Sequence, residues 1–358
     1  MVGVNTMDNN TDFLKKLSET TGVSGYEDKI TSEVEEVFRE YTDKIKYDNL
    51  GNLVALKQGT DNKDKLKVML AAHMDEIGLM VNDIEDEGFL RFTSVGGVDQ
   101  RTLVGQEVIV LGKEELTGII GAKPPHVQDA KERKKAYEMD DMYIDLGLTA
   151  EEVKEKVRIG DVITVKRECE ELKNERVTGK ALDDRAGILV MLTALQELAD
   201  IKHEVDLYTV ATVQEEVGVR GATTSTYDIV PDLGVAIDVC HGTMPGVSSE
   251  DAAELAGGAA IGFGPHVHPK IFSKLKTIAT DNEIKYQVEP SHTPRGTDAY
   301  AMQVTRAGIP TALISIPLRY MHTSVETISL KDIKRAGKLL ARFIREINVE
   351  FVEGLQCF

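Results

Sequence analysis

The chain is short of cysteine, of basic residues and of long apolar runs. Its three cysteines, Cys169, Cys240 and Cys357, lie far apart, and no Cys-x-x-Cys pair occurs. Neither a disulfide framework nor a thiolate zinc site is indicated, and a reducing compartment is the simplest reading. No apolar stretch is long enough to span a bilayer, and the polar first dozen residues hold no signal-peptide core. A soluble, cytoplasmic protein is expected. Lys and Arg number 42 against 60 Asp and Glu, a net charge of −18. Nucleic acid is a poor partner for such a chain, because phosphates require basic stripes. The acidic excess is a solvated surface that favours solubility, or it attracts cationic groups.

What is present is an ordinary globular composition, 42% hydrophobic over 358 residues, with room for two domains. Residues 13–41 read as helix, interrupted near Gly22 and Gly25. Strands are expected over 44–47, 52–56 and 65–73. The texture then changes: short β-type runs over 79–84, 89–93, 107–111, 116–120 and 161–165 alternate with glycines and charges. They predict a small β-rich domain at 75–173, inserted between two parts of a larger domain, 1–74 and 174–358. Residues 124–145 are charged and show no period, so they read as a long functional or poorly ordered loop. Strand–helix alternation resumes near Val177. Strands are expected over 204–213, 233–239 and 310–316, and helices over 184–199, 269–281, 298–306 and 331–347. This predicts an α/β fold: a mainly parallel mixed sheet with helices on both faces.

The chemistry collects at the ends of these strands. His73-Met74-Asp75-Glu76-Ile77-Gly78 follows an apolar strand, and residues two apart on extended backbone share a face. Glu215 and Glu216 follow the strand 204–213, and Asp238 lies near the end of 233–239. His322 follows 310–316 after a short connection, and Asp183 opens a buried helix. Sites in open α/β sheets form beyond the carboxyl ends of strands. Each residue alone has an ordinary explanation: a structural histidine, a solvated acidic turn, a helix N-cap. Together, several carboxylates at one edge would repel unless cations sat among them. No basic cluster recurs there. Imidazole and carboxylate donors suit zinc, cobalt or manganese. Three ligating carboxylates carry about −3 and two divalent ions about +4, so a bridging hydroxide brings the centre near neutrality.

His73-x-Asp75-Glu76-Ile77-Gly78, Leu182-Asp183-Asp184, Glu215-Glu216-Val217-Gly218, Asp238 and Met321-His322-Thr323 resemble, in order and over nearly the whole chain, the tetrahedral (TET) aminopeptidases. These are two-metal exopeptidases, some once labelled endoglucanases. The resemblance implies that Asp183 bridges two metals, that His73 and Asp238 complete one site, and that Glu216 and His322 complete the other. It implies that Glu215 is the general base and that Asp75 orients His73. It further implies a cis peptide after Asp183, an insert that dimerises the catalytic domain, short peptide substrates, and assembly as dimers or tetrahedral dodecamers.

Gly296-Thr297-Asp298 resembles a family segment lining the substrate pocket. Arg295 beside it is either a pocket arginine favouring acidic side chains or an exposed surface residue. Three other readings compete. A dinuclear carboxypeptidase or deacylase shares the His-x-Asp and Glu-Glu logic, but its first motif usually ends in a Val-Pro type sequence. A glycoside hydrolase leaves His73 and His322 unexplained. A silent oligomeric scaffold would be expected to lack a ligand or the base. His266-x-His268, Cys240 and Pro124-Pro125-His126 read as a loop, a packed thiol and a subunit-contact loop.

Overall fold

The computed structural model describes residues 6–60, 66–292 and 296–356. Two helices, α1 (Thr6–Glu19) and α2 (Asp28–Phe38), lead into strands β1 (Lys44–Tyr47), β2 (Leu53–Lys57) and β3 (Lys67–His73). Next come β4 (Gly78–Ile84), β5 (Leu90–Val95), β6 (Glu107–Leu111), β7 (Glu115–Ala122) and β8 (Met142–Asp145). They are followed by α3 (Ala150–Lys156), β9 (Val162–Val165), β10 (Glu170–Leu172), β11 (Arg176–Gly179) and α4 (Leu182–Glu197). The chain continues through β12 (Asp206–Thr212), α5 (Arg220–Ile229), β13 (Leu233–His241), β14 (Ala259–Phe263), α6 (Pro269–Asp281) and β15 (Tyr286–Pro290). It closes with α7 (Asp298–Gln303), β16 (Thr311–Leu318), β17 (Glu326–Ser329), α8 (Leu330–Arg345) and α9 (Val349–Glu353).

The main sheet runs β1-β2-β12-β3-β13-β16-β14-β15. Its centre, β12-β3-β13-β16, is parallel throughout, while β1, β2 and β14 join their inner neighbours antiparallel. Central parallel strands are covered on both faces, which is why β3, β13 and β16 are apolar almost without a break. On one face α4 packs over β3 and β13 and against α8; on the other α5 and α7 pack together over β3. The α4–α8 approach depends on Gly337, where an added Cβ would lie 2.5 Å from Thr193 Cβ. α8 is amphipathic, burying Ile333, Ala336, Leu340, Phe343 and Ile344. Each such large side chain contributes roughly 1.5–3 kcal/mol on burial.

Strands β4 to β9 form a closed antiparallel barrel, β4-β5-β8-β7-β6-β9, with its own core of Leu79, Val81, Leu90, Val108, Val110, Ile120, Ile144 and Ile163. The expected second, β-rich domain is therefore present. The featureless stretch 124–145 resolves into three short 3-10 turns and β8, which pairs with β7 and supplies Met142 and Ile144 to the barrel core. Strand β10 pairs instead with β11, and β11 with β17, in a small sheet outside the barrel. Among the described residues, no helix is long and apolar enough to cross a membrane.

Candidate metal centre

Parallel pairing brings the polar residues together. In the β3–β12 ladder His73 lies opposite Thr212, so the β12 end delivers Glu215 and Glu216 beside it. β13 runs parallel to β3 and carries Asp238, while β16, parallel to β13, leads on to His322. Asp183 arrives from the first turn of α4, and its peptide bond to Asp184 is cis. Ligand atoms of His73, Asp183 and Asp238 lie within 4.8 Å of one another, as do those of Asp183, Glu216 and His322. Asp183 is common to both groups. Its Oδ1 lies 3.2 Å from His73 Nε2 and its Oδ2 3.3 Å from His322 Nε2.

The other nitrogen of each ring faces a backbone carbonyl. His73 Nδ1 is 3.2 Å from the Asp75 carbonyl, and His322 Nδ1 is 3.0 Å from the Gly97 carbonyl. A neutral imidazole has one N–H, and Nδ1 spends it there. Each Nε2 faces a carboxylate, a setting that holds a positive charge between them: the Asp183 carboxylate lifts His322 to about 9 and, against burial, helps raise His73 well above the usual imidazole range, and a divalent cation can take the place of those protons. The donor set thus fits divalent metal ions.

The local charge agrees. Burial, with Asp238, Asp298 and Glu216 nearby, pushes the Glu215 carboxyl up to about 10. Burial and Asp183 push Glu216 up to about 7 and Asp238 well above the carboxylate range. The buried cations Lys180 and Arg185 are tied to Glu76 at 2.5 and 3.4 Å. Protein charges alone leave this pocket short of positive charge.

Two carboxylates shape the centre without belonging to either group. Asp75 Oδ1 accepts the Glu215 N–H at 3.0 Å; Oδ2 accepts the Glu216 N–H at 3.2 Å and the Ser24 hydroxyl at 2.6 Å. Its carboxylate is 3.5 Å from His73 Nδ1, farther than its own carbonyl. Asp75 therefore clamps the Glu215-Glu216 turn, a task that the His-x-Asp spacing did not suggest. Glu326 Oε2 accepts the Asp183 N–H at 3.1 Å and Oε1 the His322 N–H at 2.8 Å. Sequence reasoning passed over Glu326; its position four residues after His322 was the available signal.

Gly296 and Thr297 line the cleft above the two groups, together with Met244, Val247, Asp251 and Met321. The cleft encloses about 720 Å³. Asp298 sits deeper, fully buried, with Oδ2 accepting the Thr212 hydroxyl at 2.6 Å. Arg295 lies outside the described residues. His268 caps α6 and contacts the Leu355 carbonyl at 2.8 Å, away from the centre.

The fold and this donor set define a metallopeptidase-type centre on an α/β sheet. Residues 51–339 match the M42 glutamyl aminopeptidase family. The chain is 38% identical to a lysyl aminopeptidase of Pyrococcus furiosus, over 94% of this chain and 97% of that protein. It superposes on a TET aminopeptidase from a marine-sediment Thaumarchaeota archaeon with a TM-score of 0.93 and 33% identity, covering 98% of this chain and 100% of the other. The TET1 peptidase of Pyrococcus horikoshii, which can assemble into a tetrahedron or a large octahedral shell, matches at a TM-score of 0.84 and 33% identity, covering 94% and 100%. The chain belongs to the M42 aminopeptidase family, as the TET resemblance of its motifs implied.

Proposed function

We propose that this chain is a two-metal aminopeptidase releasing N-terminal residues from short peptides. The observation that carries this reading is the Asp183 carboxylate, divided between two imidazoles whose outer nitrogens are both engaged. His73, Asp183 and Asp238 would hold one divalent ion, and Asp183, Glu216 and His322 the other. Zinc, cobalt or manganese suits these donors. Ions held there supply Lewis-acid activation of the scissile carbonyl and of the attacking water. Glu215 is the general base. Its Oε1 is buried and has no hydrogen-bond partner among the described residues. Glu215 takes a proton from the attacking water and passes it to the leaving amine. Asp75 holds the turn that aims Glu215 and Glu216 in different directions. Gly296 and Thr297 border the substrate.

The inserted domain, placed at 75–173, joins catalytic domains in a homo-oligomer, a dimer or a tetrahedral dodecamer built from dimers. The likeness to the TET1 peptidase, solved as a dodecamer and able to form a tetrahedron or an octahedral shell, supports assembly of copies. Glu215→Gln tests the base. It should keep two ions per chain and lower kcat on aminoacyl amides by about 10²–10⁴-fold. An active variant would overturn the assignment. In the same assay a chelator should abolish turnover, and zinc, cobalt or manganese should restore it. Turnover of N-acyl amino acids in place of free N-termini would favour the deacylase reading.

A further inference from the structure

We propose that the inserted barrel completes one of the two metal half-sites, through its Gly96-Gly97 turn. The inference rests on the ligand assignment above. The His73, Asp183 and Asp238 group comes wholly from the main sheet and α4. The Asp183, Glu216 and His322 group is bounded by the turn that leaves β5 of the barrel. The Gly97 carbonyl accepts the His322 Nδ1–H at 3.0 Å. A Cβ on Gly97 would stand 2.9 Å from His322 Nδ1 and 3.1 Å from its Cε1. A Cβ on Gly96 would stand 3.4 Å from the Glu216 Cβ and 2.9 Å from Ile77 Cγ2. The turn thus abuts both ligands that are unique to this group.

The backbone explains why two glycines stand here. Gly96 has φ +78°, where a side chain is strained. Gly97 needs to be bare so that its carbonyl can reach the ring edge. His322 itself has φ +61°, and its N–H is held by Glu326. The main domain therefore fixes the His322 backbone, while the insert fixes its ring and tautomer. Gly97 is a positioning residue. Its effect falls on one half-site, because the His73 ring takes its carbonyl from Asp75.

Calorimetric titration of zinc into chelator-treated full-length chain tests this. The unaltered chain should take two ions. Gly97→Ala should bind one with unchanged affinity and the other about 10–100-fold more weakly, as loss of an outer hydrogen bond to a ligating histidine does. Gly105→Ala supplies the control for a strained barrel glycine, since it has φ +86° but no atom within 4 Å of an added Cβ; it should keep both ions. Equal binding by Gly97→Ala and the unaltered chain, or equal weakening of both ions, overturns the inference. If the unaltered chain takes only one ion, the ligand assignment fails and this inference with it. Imidazole ¹⁵N spectra of the unaltered protein need no variant. In the zinc-loaded protein an Nδ1 proton on His322 that is protected from solvent exchange supports the Gly97 contact, and one that exchanges as freely as an open imidazole N–H overturns it.

Discussion

Replacing Asp75 by asparagine changes one oxygen to an NH2 and removes one charge. The two carboxylate oxygens accept from three donors: the Glu215 N–H, the Glu216 N–H and the Ser24 hydroxyl. If the amide nitrogen takes the Oδ1 position, it meets the Glu215 N–H donor to donor. If it takes the Oδ2 position, Ser24 can rotate its hydroxyl to accept, but the Glu216 N–H loses its partner. Either way one backbone donor in a buried setting is stranded, costing about 1–3 kcal/mol. The surviving bond also weakens, because its acceptor is no longer an anion. The loss falls on the turn that presents both Glu215 and Glu216. Asp75→Asn should therefore lower kcat by more than tenfold, weaken the ion at Glu216, and reduce unfolding free energy by about 1–3 kcal/mol. Steady-state kinetics on an aminoacyl amide, zinc titration and urea unfolding measure the three effects. Unchanged kcat and zinc affinity beside a measured stability loss would refute the clamp. Asp75 would then be a structural residue alone.

Two further outcomes follow from buried charge. Glu76 is the counterion of the buried Lys180 and Arg185, so Glu76→Ala leaves two cations without it. Removing one partner of such a network costs about 3–5 kcal/mol, and a thermal melt or the soluble yield should show the loss. Glu27 accepts the Gly25 and Gln214 N–H groups, and burial lifts its carboxyl from an ordinary 4.5 to about 7. Between these values the unfolded chain has released the Glu27 proton while the folded chain keeps it. Folded stability thus falls as pH rises from about 4.5 to about 7, then stays level for this group. Glu27→Gln should gain on the unaltered protein across that window in paired melts, and parallel curves would contradict the assignment.

The central strands, and most of the positions that the fold gathers into the two donor groups, were legible because their signals are local. A parallel interior strand is a continuous apolar run, so β3, β12, β13 and β16 stand out, and His73 and Asp238 sit at or near the ends of two of them. Other elements were hidden for identifiable reasons. Strand β14 is Ala-Ala-Ile-Gly-Phe, low in β-branched residues, and β15 lies at the sheet edge with one buried position. Strand β8 follows a charged stretch, and only its barrel partners make it a strand. Glu326 carried only a weak signal, its spacing from His322, because both of its partners are backbone N–H groups, which the one-letter sequence does not distinguish. Nothing in the sequence singled out the Gly96-Gly97 turn, since its contact with His322 joins residues 225 positions apart.

The place of β3 in the main sheet has a consequence for the order of folding. Its two neighbours, β12 and β13, both lie beyond the insert in sequence. The barrel pairs only strands between Gly78 and Val165, so a chain emerging from the ribosome can close it early. Meanwhile β3 carries the His73 motif with both hydrogen-bonding edges open until β12 and β13 have been synthesised. By this order of synthesis the guest domain has all its strands before its host does, and the two donor groups come together only after β12, β13 and the segment carrying His322 have been made.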